Sequence, residues 1–239
     1  MKTENKLSKR TVVSLIICLV MIPLTIAASV KMGGRKYYLS SMLIIIYTMI
    51  PFFIRFEHRK PKAREMVVIA VMCAIAVASR AAFIMVPNFK PMTAIIMITG
   101  IAFGAEAGFL SGAISAFVSN FIFGQGPWTP WQMFAYGVAG MLAGLLCSKG
   151  IIPKKKVQLA IFGFLAVMLI VGPLLDTCAL FTMSNTIDPA FTKSVYLAGI
   201  PVNAVHAVAT LLTMLIFSEP MLDKLDRIKI KYGMMEDEI

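Results

Sequence analysis

Long unbroken apolar runs dominate the chain, in place of the alternation of a half-buried strand or the one-faced period of a surface helix. They lie at about 11–30, 38–54, 66–86, 89–104, 107–124, 131–149, 157–182 and 194–217. About 20 apolar residues at 1.5 Å each cross a hydrocarbon core of roughly 30 Å, so runs of this length suit helices solvated by lipid. The pattern predicts an all-α integral membrane protein, a polytopic bundle of eight spans. One boundary follows from length alone. From Phe89 to Phe123 the only charges are Lys90 and Glu106, and one continuous helix there would be roughly 50 Å long, too long for a single crossing. The break is expected at Gly104-Ala105-Glu106-Ala107-Gly108, with Glu106 a solvated residue of a tight cytoplasmic hairpin.

Composition sharpens this picture. Of 239 residues, 59% are hydrophobic and 15% charged, against about 25% charged in an ordinary soluble domain. A net charge of +11 would raise the question of nucleic acid in a soluble protein, but the bases are placed by side. Four precede the first span (Lys2, Lys6, Lys9, Arg10), five lie in 55–65, four in 149–156 and four in the C-terminal tail. The alternate connectors hold Lys31, Arg35, Lys36, Lys90 and Lys193, and Arg80 lies inside a span. The positive-inside rule then puts both termini in the cytoplasm of a cell membrane and the segment 124–130 outside. The excess of bases reads as topology and attraction to anionic lipid, with no nucleic-acid partner. The run 11–30 also suits a signal peptide; it is long for one and is taken as retained. Cys18, Cys73, Cys147 and Cys178 fall within apolar runs and form no CxxC, so neither a disulfide framework nor a metal site is expected.

The basic connector Arg55 to Glu65 divides the chain. Residues 1–64 read as an accessory pair of transmembrane helices with a basic cytoplasmic loop, 65–222 as a six-helix membrane domain, and 223–239 as a cytoplasmic tail. Within the domain, Ala70, Ala74, Ala78 and Ala82 share one helix face. Such faces let backbones approach closely in lipid, and this one fits either a membrane partner or a neighbouring helix of the same chain. Gly100, Gly104, Gly108, Gly112, Gly140 and Gly144 repeat the spacing and read as internal packing.

Ionisable groups inside spans are costly and face a partner or a wet cavity. Arg80 and Asp176 are read as a structural ion pair between helices. Asn203 and His206, three apart, share a face that suits a polar ligand, although a histidine bonded to a nearby carbonyl fits equally. Asn120 and Gln132 add amides near the outer half. No GxxxxGK[ST], HExxH or GxSxG occurs, so ATP hydrolysis, zinc proteolysis and serine hydrolase chemistry have no motif here, and no cofactor is predicted.

The stretch FGQGPWTPWQM, Phe123 to Met133, gathers both tryptophans, two glutamines, two glycines and two prolines between apolar runs. Gly and Pro set a tight turn. Trp128 and Trp131 can offer flat surface and indole N–H groups to a ligand, with Gln125 and Gln132 as neutral partners; an aromatic belt at the interface is the competing account. Asn88, in the connector Pro87 to Pro91, and the connector 183–193 would complete an outward rim.

The alanine ladder, the glycine-marked hairpin, FGQGPWTPWQM and the following YGVAGMLAGLL, in that order, resemble the substrate-binding S components of energy-coupling factor (ECF) transporters over residues 65–220. The resemblance implies a six-helix core that captures a vitamin or related micronutrient, cobalamin or a precursor among the candidates. It also implies docking on a membrane T component served by two ATPase subunits, with the alanine face as the docking surface and no enzymatic activity in this chain. The two N-terminal spans depart from the family pattern. An integral-membrane enzyme using Asp176 and His206 on a lipid-soluble substrate, and a ligand-free assembly factor, stand as rivals.

Overall fold

A computed structural model describes residues 36–58, 62–184 and 188–234, together with Met21, Leu24 and Thr25. Most of the first expected span, including Cys18, lies outside the described residues. Helix α1 covers Lys36–His58, α2 Ala63–Ala82, α3 Met92–Phe103, α4 Ala105–Phe123, α5 Thr129–Ser148, α6 Lys156–Ala166, α7 Gly172–Met183 and α8 Pro189–Lys231. A π-helical turn, Val167–Val171, joins α6 to α7. Among the described residues, α2, α4, α5, the α6–α7 rod and α8 are each long and apolar enough to cross a bilayer. The protein is a polytopic helical membrane protein.

The run 89–104 forms a short helix rather than a full crossing. All twelve residues of α3 are buried, enclosed by α2, α4, α5 and α8. A helix apolar on every side belongs either in lipid or in a core, and here the neighbouring helices supply the core. The hairpin predicted at 104–108 is tighter than expected. Gly104 alone leaves the helix, at φ 94°, where a residue with a Cβ would be strained. Glu106 falls in the first turn of α4, where helix polarity favours a carboxylate.

Glycines knit α3, α4 and α5 together. A methyl on Gly100 or Gly108 would run into the Gly140 carbonyl, and one on Gly112 into the Tyr136 carbonyl. A methyl on Gly144 would lie 2.6 Å from Gly100 O. The internal-packing reading of these glycines is therefore the one the fold uses.

Two features lay beyond the hydrophobic pattern. The π turn sits just before Pro173, which has no N–H to continue the ladder, and a widened turn accommodates that break. Helix α8, 43 residues long, runs past the end of its apolar stretch, so the boundary expected at 222/223 falls within a helix. Leu222, Leu225 and Lys229 are buried there. Lys229 Nζ donates to Ala102 O at 2.5 Å and pairs with Asp226 at 2.8 Å. The cation thus caps the carbonyl end of α3, where the helix carries partial negative charge.

Candidate substrate site beneath the tryptophan loop

Helices α2 and α4 end, and α5 begins, at one end of the bundle. Arg80, in the last turn of α2, is buried at 8% exposure. Its Nη1 donates to Ser119 Oγ at 2.5 Å and to Asn120 Oδ1 at 3.1 Å, and the guanidinium stands 4.1 Å from the Phe123 ring centroid. The last turn of α4 thus solvates the cation with neutral oxygens, an aromatic face and its helix-end carbonyl charge. The amide of Asn120 donates onward to Thr129 Oγ1 at 3.0 Å and Gln132 Oε1 at 2.9 Å. Thr129 donates to Gln125 Oε1 at 2.9 Å and accepts from Gly126 N at 3.2 Å. Gln125 Nε2 in turn donates to Phe117 O at 2.9 Å. A continuous polar chain therefore runs from a buried guanidinium to the loop Gly124–Trp128.

One helical turn beyond Gln132 lies Tyr136, fully buried, with its edge toward the His206 ring at 5.9 Å between centroids. His206 Nε2 shares a hydrogen bond with Thr93 Oγ1 at 2.7 Å. Among the described residues the Tyr136 hydroxyl has no hydrogen-bond partner, an arrangement that costs free energy in a dry interior.

Arg80 and Asp176 do not form the expected ion pair. Asp176 accepts from Asn203 Nδ2 at 2.8 Å, and each charge is met by neutral groups of its own neighbourhood. The glycines at 172 and 199 explain the placement of the acid. A Cβ on Gly172 would lie 2.5 Å from the Asn203 side chain, and one on Gly199 would run into the Asp176 carboxylate. Two small residues thereby hold the Asp176–Asn203 contact between α7 and α8. Asn203 consequently joins Asp176 rather than sharing a site with His206.

The tryptophans part company. Trp131 is 5% exposed and packs 6.1 Å from Phe181, in a cluster with Ile45 and Met49 of α1. Among the described residues its indole N–H has no hydrogen-bond partner. Trp128 is 40% exposed, and its ring covers Gly126 closely enough to exclude a side chain there. Asn88 takes a left-handed conformation, φ 61°, in the connector after α2. The structure thus brings Asn120, Gln125 and Gln132 together and sets His206 one layer below. Trp131 faces α1 instead.

The layer beneath the loop is closed packing in place of the open pocket expected there. Asn120, Trp131, Ala135, Tyr136 and His206 are each 5% exposed or less. The reason is that Asn120 bonds Gln132 and Thr129 while Gln125 bonds Thr129 and the Phe117 carbonyl, which seats the loop on the bundle. A cleft of about 280 Å³ lies laterally, between α1, α2 and α4, and Ala70 and Ala74 line it. Ala70, Ala74, Ala78 and Ala82 are all exposed. Sequence reasoning missed Ser119, Thr129, Tyr136 and Thr93. For Tyr136 a signal existed, since it lies four residues from Gln132 and hence on the same helix face.

The sequence profile of the ECF-type riboflavin transporter S component family matches residues 60–222. The chain belongs to that family. The match runs from just before α2 to Leu222 of α8, and takes in every residue of the polar chain. UPF0397 protein VSAL_I1988 of Aliivibrio salmonicida is 29% identical over 105 residues, covering 42% of this chain and 55% of that protein. The chain thus spans about half the length of that curated relative. No solved structure matches it. An S component is a transporter subunit and not an enzyme, so the reading of Asp176 and His206 as catalytic groups is set aside.

Proposed function

We propose that the chain is the substrate-specific subunit of an ECF importer, capturing a vitamin-like micronutrient at the end of the bundle capped by Gly124–Trp128. The observation that carries this is the polar chain Arg80–Asn120–Gln132 beneath a glycine-flanked loop, within the segment that matches the S-component profile. Riboflavin, named in the family description, is the first ligand to test. It is favoured over cobalamin, because flat fused rings need only a slot between Trp128 and the polar layer, whereas a corrin needs a wide cavity. Asn120, Gln125 and Gln132 would exchange their present hydrogen bonds, to one another, Thr129 and the Phe117 carbonyl, for bonds to the ligand as the loop lifts. Gly124, at φ 96°, is the natural hinge. Asn88 and His206 would shape the surrounding wall, while Trp131 packs against α1 and Asn203 is held by Asp176.

Inward delivery would follow docking on a T component served by two ATPases. The exposure of all four alanines of α2, with Val67, Val71 and Ile75 exposed beside them, supports that surface as the docking face, since another helix can approach closely along the alanine stripe. Cytoplasmic termini fit the distribution of bases. Residues 1–64 would be an accessory element; α1 packs on α4, α5 and α7 and covers Trp131.

The test is titration of the purified full chain with riboflavin, following quenching of flavin and tryptophan fluorescence, with mass spectrometry of retained small molecules. Asn120→Ala and Gln132→Ala should each weaken binding about tenfold, the equivalent of one hydrogen bond of about 1.4 kcal/mol. A ligand-free assembly role is the reading that the closed packing beneath the loop favours. Absence of any retained or titratable vitamin would decide for it.

A further inference from the structure

One turn beneath Gln132 the structure holds two donors that its own packing does not use up. The Tyr136 side chain is fully buried, and no described residue bonds its hydroxyl. Buried hydroxyls are paired in the great majority of structures, and an orphan costs about 1–3 kcal/mol. Nor is this one loosely placed. Gly112 lets α4 lie against the Tyr136 carbonyl, and the His206 ring, fixed by its bond to Thr93, meets the tyrosine ring edge-on. The second donor is the buried Arg80. Its hydrogen bonds among the described residues, to Ser119 and Asn120, both leave from Nη1, whereas a guanidinium carries five N–H donors in a planar fork. Arg80 and the Tyr136 hydroxyl lie within electrostatic reach of one another. Natural folds leave such rules broken chiefly at functional positions.

We propose that Tyr136 and Arg80 are the specificity-determining residues of the capture site, holding the dione edge of a fused-ring ligand with one carbonyl oxygen on each. This rests on the capture of a flavin proposed above, and it assigns which end of the ring system enters first. Two carbonyls separated by one ring nitrogen suit two donors carried by different helices. The Asn120 carbonyl, which has a second lone pair, accepts from the N–H between them. A neutral edge fits better than a carboxylate, because the Phe123 ring and the carbonyl end of α4 already offset the Arg80 charge. The remainder of the ring system then lies toward Trp128, and the ribityl chain trails outward.

The experiment titrates the full chain in neutral detergent and follows its thermal unfolding. The probes are riboflavin and lumichrome, which keeps the dione and lacks the ribityl chain. Tyr136→Phe should weaken both about tenfold, the equivalent of one hydrogen bond. Its melting temperature should equal or exceed that of the wild type, since the lost hydroxyl bonds no described residue. Arg80→Lys keeps the charge and loses the planar fork, and should weaken both probes by a similar factor. Tyr196→Phe, whose hydroxyl bonds Thr177 between α7 and α8, should change neither affinity. Unchanged riboflavin affinity in Tyr136→Phe, or a loss seen with riboflavin and absent with lumichrome, would overturn the inference while flavin capture stands. A lowered melting temperature in Tyr136→Phe would make the hydroxyl structural and overturn it as well. Absence of flavin binding by the wild type would defeat the flavin reading and the inference together. If Arg80→Lys does not fold, Tyr136→Phe with the two probes decides alone.

Discussion

Along α3, α4 and α5, glycines four or eight apart bring three backbones into contact, and a methyl group at several of them would strike a carbonyl. Along α2, alanines at the same four-residue spacing touch little, and all four are exposed. The spacing is common to both and the use is opposite. In lipid, apolar burial does not drive helices together, so a small residue favours association only where a second backbone can reach it. The glycine set has found its partner within the chain. The alanine set is left open beside the cleft lined by Ala70 and Ala74, as a surface awaiting another helix would be.

That contrast can be broken most forcefully at Gly140. Gly140→Leu places a branched side chain against the Gly108 carbonyl and Ile96. Overpacking of this kind costs about 3 kcal/mol or more, and the expected result is loss of the monodisperse peak on size exclusion in detergent. Next in size is Asn120→Leu, which removes an acceptor from the buried Arg80 guanidinium and cuts the link to Gln132. A drop of about 2–3 kcal/mol is expected in chemical unfolding, the worth of a hydrogen bond to a charge together with a stranded donor.

Smaller effects separate close approach from charge in the second glycine pair. Gly199→Ala pushes a methyl into the Asp176 carboxylate and should cost about 1–2 kcal/mol. Asp176→Asn keeps an acceptor for Asn203 and should cost less than Gly199→Ala in the same assay. The reverse order would show that the charge of Asp176 matters more than its fit. Smallest in stability is Ala74→Leu, at an exposed position, with a change within about 0.5 kcal/mol. Its expected consequence lies elsewhere: co-purification with the T component should be lost. Retained co-purification in Ala70→Leu and Ala74→Leu together would move the docking surface off α2.

Much of the fold was legible because lipid imposes a simple rule on sequence. The crossings appear as runs, and the break near Gly104 follows from length and the position of glycine. The extension of α8 was not legible, since the apolar run ends near Phe217 while the helix is held through Lys231 by Leu222, Leu225 and Lys229. The candidate site was legible in part. Asn120, Gln125 and Gln132 could be picked as polar residues near one end, but the chain that links them through Thr129 could not, because it depends on how α4 and α5 rotate about their axes. The Arg80–Asp176 pairing failed for the same reason: opposite charge suggested a partner, and helix rotation gave each residue a nearer amide.

By itself the sequence determined that the chain is a membrane bundle, that a helix breaks near Gly104, and which helices carry stripes of small side chains. Run length and residue size are local quantities, and a bilayer reads them directly. Tertiary structure decided which small-residue face is buried, which tryptophan is covered by α1, and whether a polar residue meets the loop, a histidine or an acid. Those outcomes turn on the rotation of each helix about its axis. Where every face of a helix is apolar, no hydrophobic stripe fixes that rotation in advance, and side-chain packing between helices must set it.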